Sequence, residues 1–336
     1  MTILYNITSS THFRSKYKSK KPNKQIKNNI YLYDKERIFR KNKNMYNNNI
    51  VNEIVNKIIS KLLFEHDEYF TQYDDIGSEI SHYDPKIFYN KVVMVCCDKP
   101  NKSNFWKFFK NNFENLHIPM VVSTFWSNED KLPPKMTILT KNGVTEKPLR
   151  GNGDFLSDEI RNIMTYIDIV VTNPPYSNGM FSKFLQQLKD LGKKFLVIGP
   201  TKSGYEGKVF DLLKNNEISI GYNKNMKFLD QMNNGKPKEV QSVWYTNFER
   251  PKKGDFPQNN ADIGKYQKYD NLNAINVNHR KDIPTNYDGI IGVPPSIIDT
   301  IDLNMYDIIK TISNLKINGQ KVPKRTLIKR KNSVTH

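Results

Sequence analysis

Cysteine is nearly absent from this 336-residue chain, and the two that occur, Cys96 and Cys97, are adjacent. Neighbours on a strand face opposite sides, so no easy disulfide is expected between them. No further residues stand at zinc-ligand spacing, so no metal site is expected. Both cysteines read as small buried core residues of a protein in a reducing, intracellular compartment. Long apolar runs are missing as well. No stretch approaches the length of a membrane span, and the opening Met1–Ile7 lacks the basic leader and hydrophobic core of a secretory signal. Glycine is absent from Cys97 to Phe105, the segment that follows the first strand of the alternating pattern. That argues against a nicotinamide dinucleotide site, whose pyrophosphate needs close backbone approach at glycines. Acids are scarce: 34 against 52 basic residues leave a net charge of +18 and a pI of about 9.5. Such a surplus points to a polyanionic partner, although a chain so rich in Lys, Asn, Ile and Tyr gains some lysine from codon bias alone. No internal repeat is visible.

Residues 1–49 are basic, rich in Asn and Tyr, and read as an arm that buries too little apolar surface to fold alone. Apolar pairs recurring every four residues over Ile50–Leu63 predict an amphipathic helix. Beyond it strands and helices alternate. Val92–Cys97 is a strand, Asn104–Asn115 a helix, Pro119–Phe125 a strand, Ser127–Gly151 a proline-bearing stretch with room for a hairpin. Asp158–Tyr166 is a helix, Ile169–Val171 a strand, Phe181–Leu191 a helix and Lys194–Gly199 a strand. This alternation predicts an α/β protein with a mostly parallel, doubly wound sheet. The pattern loosens after Thr201. Gln241–Phe248 reads as a half-exposed strand, Asp255–Arg280 as polar loop, Gly289–Val293 as a strand, Met305–Ile312 as a helical patch and Lys321–Lys331 as a basic cluster. The implied division is an arm over 1–49, a catalytic core over 50–200, and remaining strands with a target-recognition region over 201–331.

The densest chemistry lies in Asp168–Ser177, Asp-Ile-Val-Val-Thr-Asn-Pro-Pro-Tyr-Ser. A β-branched run is stopped by two prolines, which lack a ladder donor and restrict the residue before them. What remains at the carboxyl end of the strand is a stiff turn, at the edge where open α/β sheets bind ligands. The turn suits methyl transfer to a planar exocyclic amine, whose lone pair is delocalised into the ring. The Asn173 side-chain oxygen and the Pro174 carbonyl together accept both amino hydrogens and draw the nitrogen toward tetrahedral geometry. Pro175 stiffens the turn, and Tyr176 offers a face for stacking. Because the nitrogen becomes acidic as it is alkylated, positioning and fixed dipoles carry most of the catalysis. An adenine in DNA, a guanine in ribosomal RNA and a glutamine amide in a release factor all fit such a turn.

The methyl donor for such chemistry is S-adenosylmethionine. Lacking a phosphate, it needs no glycine-rich loop, and its carboxylate fits the amino terminus of the helix beginning at Ser103 and Asn104. Asp154 is placed to accept from the donor's adenine amine, or else to cap a helix, and Phe155 to pack on that ring.

Several blocks resemble the EcoRI-type adenine-specific DNA methyltransferases: Asp67–Ile76, Cys97-Asp98 with Ser103–Phe105, Asn111–Leu116, Gly151–Phe155, Asp168–Ser177, Gly192–Phe195, Tyr269–Asn271 with Ala274–Asn278, Asp282–Pro284 and Tyr287–Pro294. The likeness runs through residues 67 to 330 in order, with Thr201–Val240 departing from it. It implies a monomer with a Rossmann-like, S-adenosylmethionine-dependent fold that methylates the exocyclic amine of adenine in duplex DNA. In a restriction–modification pair it would act beside a separate endonuclease. It carries Asn173–Tyr176 over as the catalytic turn, Phe70 and Thr71 as a cofactor segment, and Asp98 and Asp154 as cofactor contacts. Since an adenine in a duplex must be flipped out to be reached, Trp244 or Tyr245 is a candidate second stacking face, with a core role as the plainer reading. Lys321, Lys324, Arg325, Lys329 and Arg330 are candidates for phosphate contact. An RNA or release-factor methyltransferase, or a silent DNA-binding relative, would carry parts of the same pattern.

Overall fold

A computed structural model describes residues 69–127, 134–205, 207–224, 226–230, 236–249 and 259–331. The expected basic arm and the expected helix over Ile50–Leu63 lie outside these residues.

β1 (Tyr69–Thr71) and α1 (Tyr73–Ile80) precede the first buried strand, β2 (Val92–Cys96). There follow α2 (Asn104–Asn111), β3 (Met120–Thr124), the hairpin β4 (Lys135–Thr140) and β5 (Gly143–Pro148), and α3 (Asp158–Met164). Next come β6 (Ile169–Thr172), α4 (Met180–Asp190), β7 (Lys194–Pro200), α5 (Gly207–Lys214) and β8 (Ser219–Lys224). β9 (Lys227–Asp230) and β10 (Lys236–Glu239) pair with β1 in a small antiparallel sheet, and β11 (Ser242–Thr246) returns to the large one. α2 is shorter than the expected Asn104–Asn115, because the Asn112 carboxamide donates to the Phe108 carbonyl and closes the helix there.

The large sheet has the order β5-β4-β3-β2-β6-β7-β11-β8. β3, β2, β6 and β7 run parallel; β4 and β11 run against them. From β2 the chain winds outward through β3, then crosses back to start β6 and winds the other way. The carboxyl ends of β2 and β6 therefore bound a topological switch point, where α/β sheets open a crevice. Both ends of this strand pair are pinned. At the amino end the Asp168 carboxylate accepts from the Val92 N–H (2.8 Å), and at the carboxyl end the Thr172 hydroxyl donates to the Cys96 carbonyl.

Strand alternation sorts the core into two layers. Val93, Val95, Ile169, Val171, Leu196, Ile198 and Trp244 face α1 and α2, where Phe105, Phe108 and Phe109 cover them. Met94, Cys96, Val170, Phe195, Val197 and Tyr245 face α3, α4 and α5. Gln241–Phe248 was expected to be half-exposed; every residue of β11 is instead buried, because helices cover both faces of that strand.

β12 (Lys268–Tyr269), β13 (Leu272–Asn276), β14 (Ile290–Val293), β15 (Tyr306–Ile312) and β18 (Arg325–Arg330) form a second sheet, order β12-β13-β14-β18-β15. A hairpin of β16 (Lys316–Ile317) and β17 (Gln320–Lys321) packs Leu315 and Ile317 with Leu327 on one of its faces. Three sequence expectations change here. Met305–Ile312 is a strand and not a helix: Tyr306 and Ile308 are buried while Asp307 is exposed, and pairing with β18 decides for the β-branched run. The Asp255–Arg280 stretch holds two short strands. The basic cluster contains an interior strand of this sheet, with Thr326 and Ile328 fully buried.

Candidate active site

The turn Asn173-Pro174-Pro175-Tyr176 leaves the end of β6 at the switch point. Pro174 is buried; Asn173, Pro175 and Tyr176 are half-buried. The Tyr176 hydroxyl donates to the Asn173 side-chain oxygen at 2.7 Å, so the carboxamide expected to hold an amine is held here by its own turn. Two left-handed residues in succession, Asn178 (φ 52°) and Gly179 (φ 70°), then turn the chain into α4. Asn and Gly are the residues that tolerate this region, and the Asn-Gly pair is the sequence signal for it. At the top of α4, the Phe181 ring meets Tyr176 edge to face, centroids 6.0 Å apart.

Across the crevice, the ends of β1 and β2 hold five of the residues assigned to a cofactor. Asn104 donates its side-chain N–H to the Thr71 carbonyl at 2.8 Å, fastening β1 to the start of α2. Ser103 is the N-cap of α2, its oxygen accepting from the Trp106 N–H, and its hydroxyl lies 3.5 Å from the Asp98 carboxylate. Phe70, half-buried, precedes Thr71 on the same short strand. The turn that glycine would usually make is made by Cys97 at φ 86°, a strained conformation for a residue with a Cβ. That kink corrects only the expectation that the two thiols face opposite sides: Cys97 has left the strand, its sulfur lies 3.6 Å from that of Cys96, and both cysteines are free as expected. Burial, and secondarily its contact with Cys96, pushes the Cys97 thiol pKa well above its ordinary value.

The end of β3 completes this side. A Cβ on Gly153 (φ 77°) would lie 2.1 Å from the Phe125 carbonyl oxygen, and Ser127 N–H donates to the Asn152 carbonyl. Asp154 is thereby set beside the end of β3. One of its carboxylate oxygens accepts from the Leu156 N–H at 2.9 Å, while the cap of α3 is Ser157. The Thr71 and Thr124 hydroxyl oxygens, at the ends of β1 and β3, are buried with no hydrogen-bond partner among the described residues. Two unsatisfied hydroxyls at this edge fit a polar ligand, since buried polar atoms otherwise find partners within the fold.

Some assigned residues lie elsewhere. Phe155 is buried against Phe184, ring centroids 4.9 Å apart, and its ring is core. Trp244 and Tyr245 have no exposed surface; one packs on Phe105 and the other on Phe181, so neither offers a face to a base. Burial drives the Tyr245 phenol pKa upward, and its hydroxyl donates to the Pro200 carbonyl. Arg325 is nearly buried, its guanidinium donating to the Asn276 and Asn278 side-chain oxygens at 3.0 and 2.9 Å and, more weakly, to the Lys324 carbonyl. It therefore braces β13 against β18 and is not an open phosphate contact. Lys324 is half-buried, Lys321 and Lys329 exposed. Phe181 and the glycine beneath it, Gly199, were missed from sequence; a lone glycine in an otherwise apolar strand was the available signal.

A proline-stiffened turn on one side of the crevice and two buried threonine hydroxyls on the other, in this strand order, fit the α/β fold of a methyltransferase. The chain belongs to the family described as adenine-specific methyltransferase EcoRI, which matches residues 63–336. Among its relatives, the Type II methyltransferase M.EcoRI of Escherichia coli is 33% identical over 311 residues, covering 79% of this chain and 93% of that one. M.MgeORF184P of Mycoplasma genitalium is 31% identical over 272 residues and M.MpnI of Mycoplasma pneumoniae 29% over 275, each covering 74% of this chain and 84% of the relative. No solved structure matches. The protein is an adenine-specific DNA methyltransferase. No helix among the described residues is long and apolar enough to cross a membrane.

Proposed function

We propose that the enzyme methylates the N6 amine of an adenine flipped out of duplex DNA, as the Type II modification partner of a separate endonuclease, acting as a monomer. The observation that carries this reading is the position of Asn173 and Tyr176 on a proline-stiffened turn at the switch point. The Asn173 oxygen and the Pro174 carbonyl accept the two amine hydrogens, and the Tyr176 ring stacks on the extruded base. Stacking and the two acceptors offset part of the flipping cost of about a few kcal/mol. S-adenosylmethionine, when bound, supplies the electrophilic sulfonium methyl. Thr71, Asp98, Ser103, Asn104 and Asp154, with the unsatisfied Thr71 and Thr124 hydroxyls, are the residues that would hold it. The second sheet, within 268–330, is assigned to target recognition, with exposed lysines such as Lys321 and Lys329 on the phosphates.

The test is incubation with tritiated S-adenosylmethionine and duplex DNA, followed by digestion to nucleosides. Label in N6-methyl-2′-deoxyadenosine from the DNA is expected. Label confined to RNA or to protein would refute the reading.

A further inference from the structure

Asn173 and Tyr176 account for contacts with a base, but not for what holds Tyr176 itself. Its ring stands at 79° to that of Phe181, centroids 6.0 Å apart. Phe181 is buried in turn, 2% exposed, against Tyr245 on β11. It reaches that depth through one omission. A Cβ on Gly199 would lie 2.0 Å from the Phe181 Cζ and 2.3 Å from Cε2, so the ring occupies the volume that any side chain at 199 would fill. Phe195, Val197 and Gly199 alternate along the same face of β7, and the first two meet the helix layer with full side chains. At the third position the sheet yields a notch instead. The notch sets how closely the start of α4, and the turn just before it, approaches the sheet.

We propose that Phe181, seated in the Gly199 notch, is a positioning residue for methyl transfer. It holds the Tyr176 ring edge-on, and Tyr176 in turn fixes the Asn173 carboxamide through the 2.7 Å hydrogen bond. An incoming amine then meets an acceptor already oriented, and the Tyr176 hydroxyl yields as the base enters. The inference rests on the adenine-methylating reading of the turn and adds what orders it.

The test is a double-mutant cycle of Phe181→Leu and Tyr176→Ala in the full chain, read as single-turnover methyl transfer to duplex DNA with DNA and S-adenosylmethionine affinities measured separately. Since misplacing a reacting group by about 1 Å costs up to ~10²-fold, Phe181→Leu is expected to slow transfer roughly tenfold or more at unchanged affinities. In the Tyr176→Ala background it should change the rate by less than about twofold, because coupled residues are not additive. Equal loss in both backgrounds overturns the proposal, as does loss that merely follows the unfolded fraction in a thermal melt. Phe181→Met serves where the leucine variant does not fold. Crystal structures separate this failure from failure of the functional reading. If the wild type methylates no DNA, loss of the Tyr176–Asn173 hydrogen bond in Phe181→Leu still supports the brace, and its retention at 2.7 Å refutes it.

Discussion

Replacing Asn173 with alanine removes one of the two acceptors assigned to the target amine and leaves the turn's backbone untouched. Stability should change little. The bond from the Tyr176 hydroxyl is among those lost, and a neutral hydrogen bond contributes about 0.5–1.5 kcal/mol net. Tyr176 is half-buried, so its hydroxyl can turn to water and avoid a full desolvation penalty. The rate should change a great deal. Deleting one preorganised polar group at a site of developing charge costs on the order of 10²–10³ in turnover, about 2.7–4 kcal/mol. The two effects are separable by assay: urea unfolding for stability, fluorescence anisotropy for duplex binding, and single-turnover tritium transfer for chemistry. The expected result is near-native stability and DNA affinity with transfer slowed at least a hundredfold. Transfer within about threefold of wild type, at equal folded fraction, would refute the assignment of the Asn173 oxygen.

Gly153→Ala adds a Cβ 2.1 Å from the Phe125 carbonyl oxygen at a residue with φ of 77°. The left-handed conformation alone costs about 1–2 kcal/mol, so a lower unfolding midpoint and weaker S-adenosylmethionine binding in calorimetry are expected together. Glu79→Ala removes a buried carboxylate that accepts from the Tyr222 and Asn223 N–H groups and the Tyr83 hydroxyl, tying α1 to β8. Stranding these donors should destabilise the fold by about 2–4 kcal/mol in urea titration. Burial raises the Cys97 pKa, which favours the neutral thiol over the nucleophilic thiolate. Iodoacetamide should therefore leave Cys97 unmodified in the folded protein at pH 8. Its labelling should begin only above the pH at which the denatured chain reacts, as peptide mass analysis would show. Exchanging Arg325 for lysine keeps the charge but loses the bonds to Asn276 and Asn278, so the melting temperature should fall more than the salt dependence of DNA binding changes.

Periodicity and punctuation settled much about this chain without any coordinates. The β-branched run before two prolines had to be a buried strand ending in a stiff turn, and the turn named the reaction. Alternating segments from Val92 to Gly199 likewise read as a doubly wound sheet, because each carries its own period and stops. Other decisions belonged to packing. β11 has the alternation of a half-exposed strand, yet helices on both sheet faces bury it, so Trp244 and Tyr245 serve the core. Met305–Ile312 suits helix or strand locally; a partner some 20 residues away, β18, makes it a strand. Arg325 looks like one more cation in a basic run until β13 brings Asn276 and Asn278 to it. The notch at Gly199 that seats Phe181 beside the Asn173–Tyr176 turn exists only once α4 lies on β7. Local chemistry fixes what a segment prefers and what a turn can do; which side of a strand is covered, and what braces a reactive group, depends on neighbours remote in the chain.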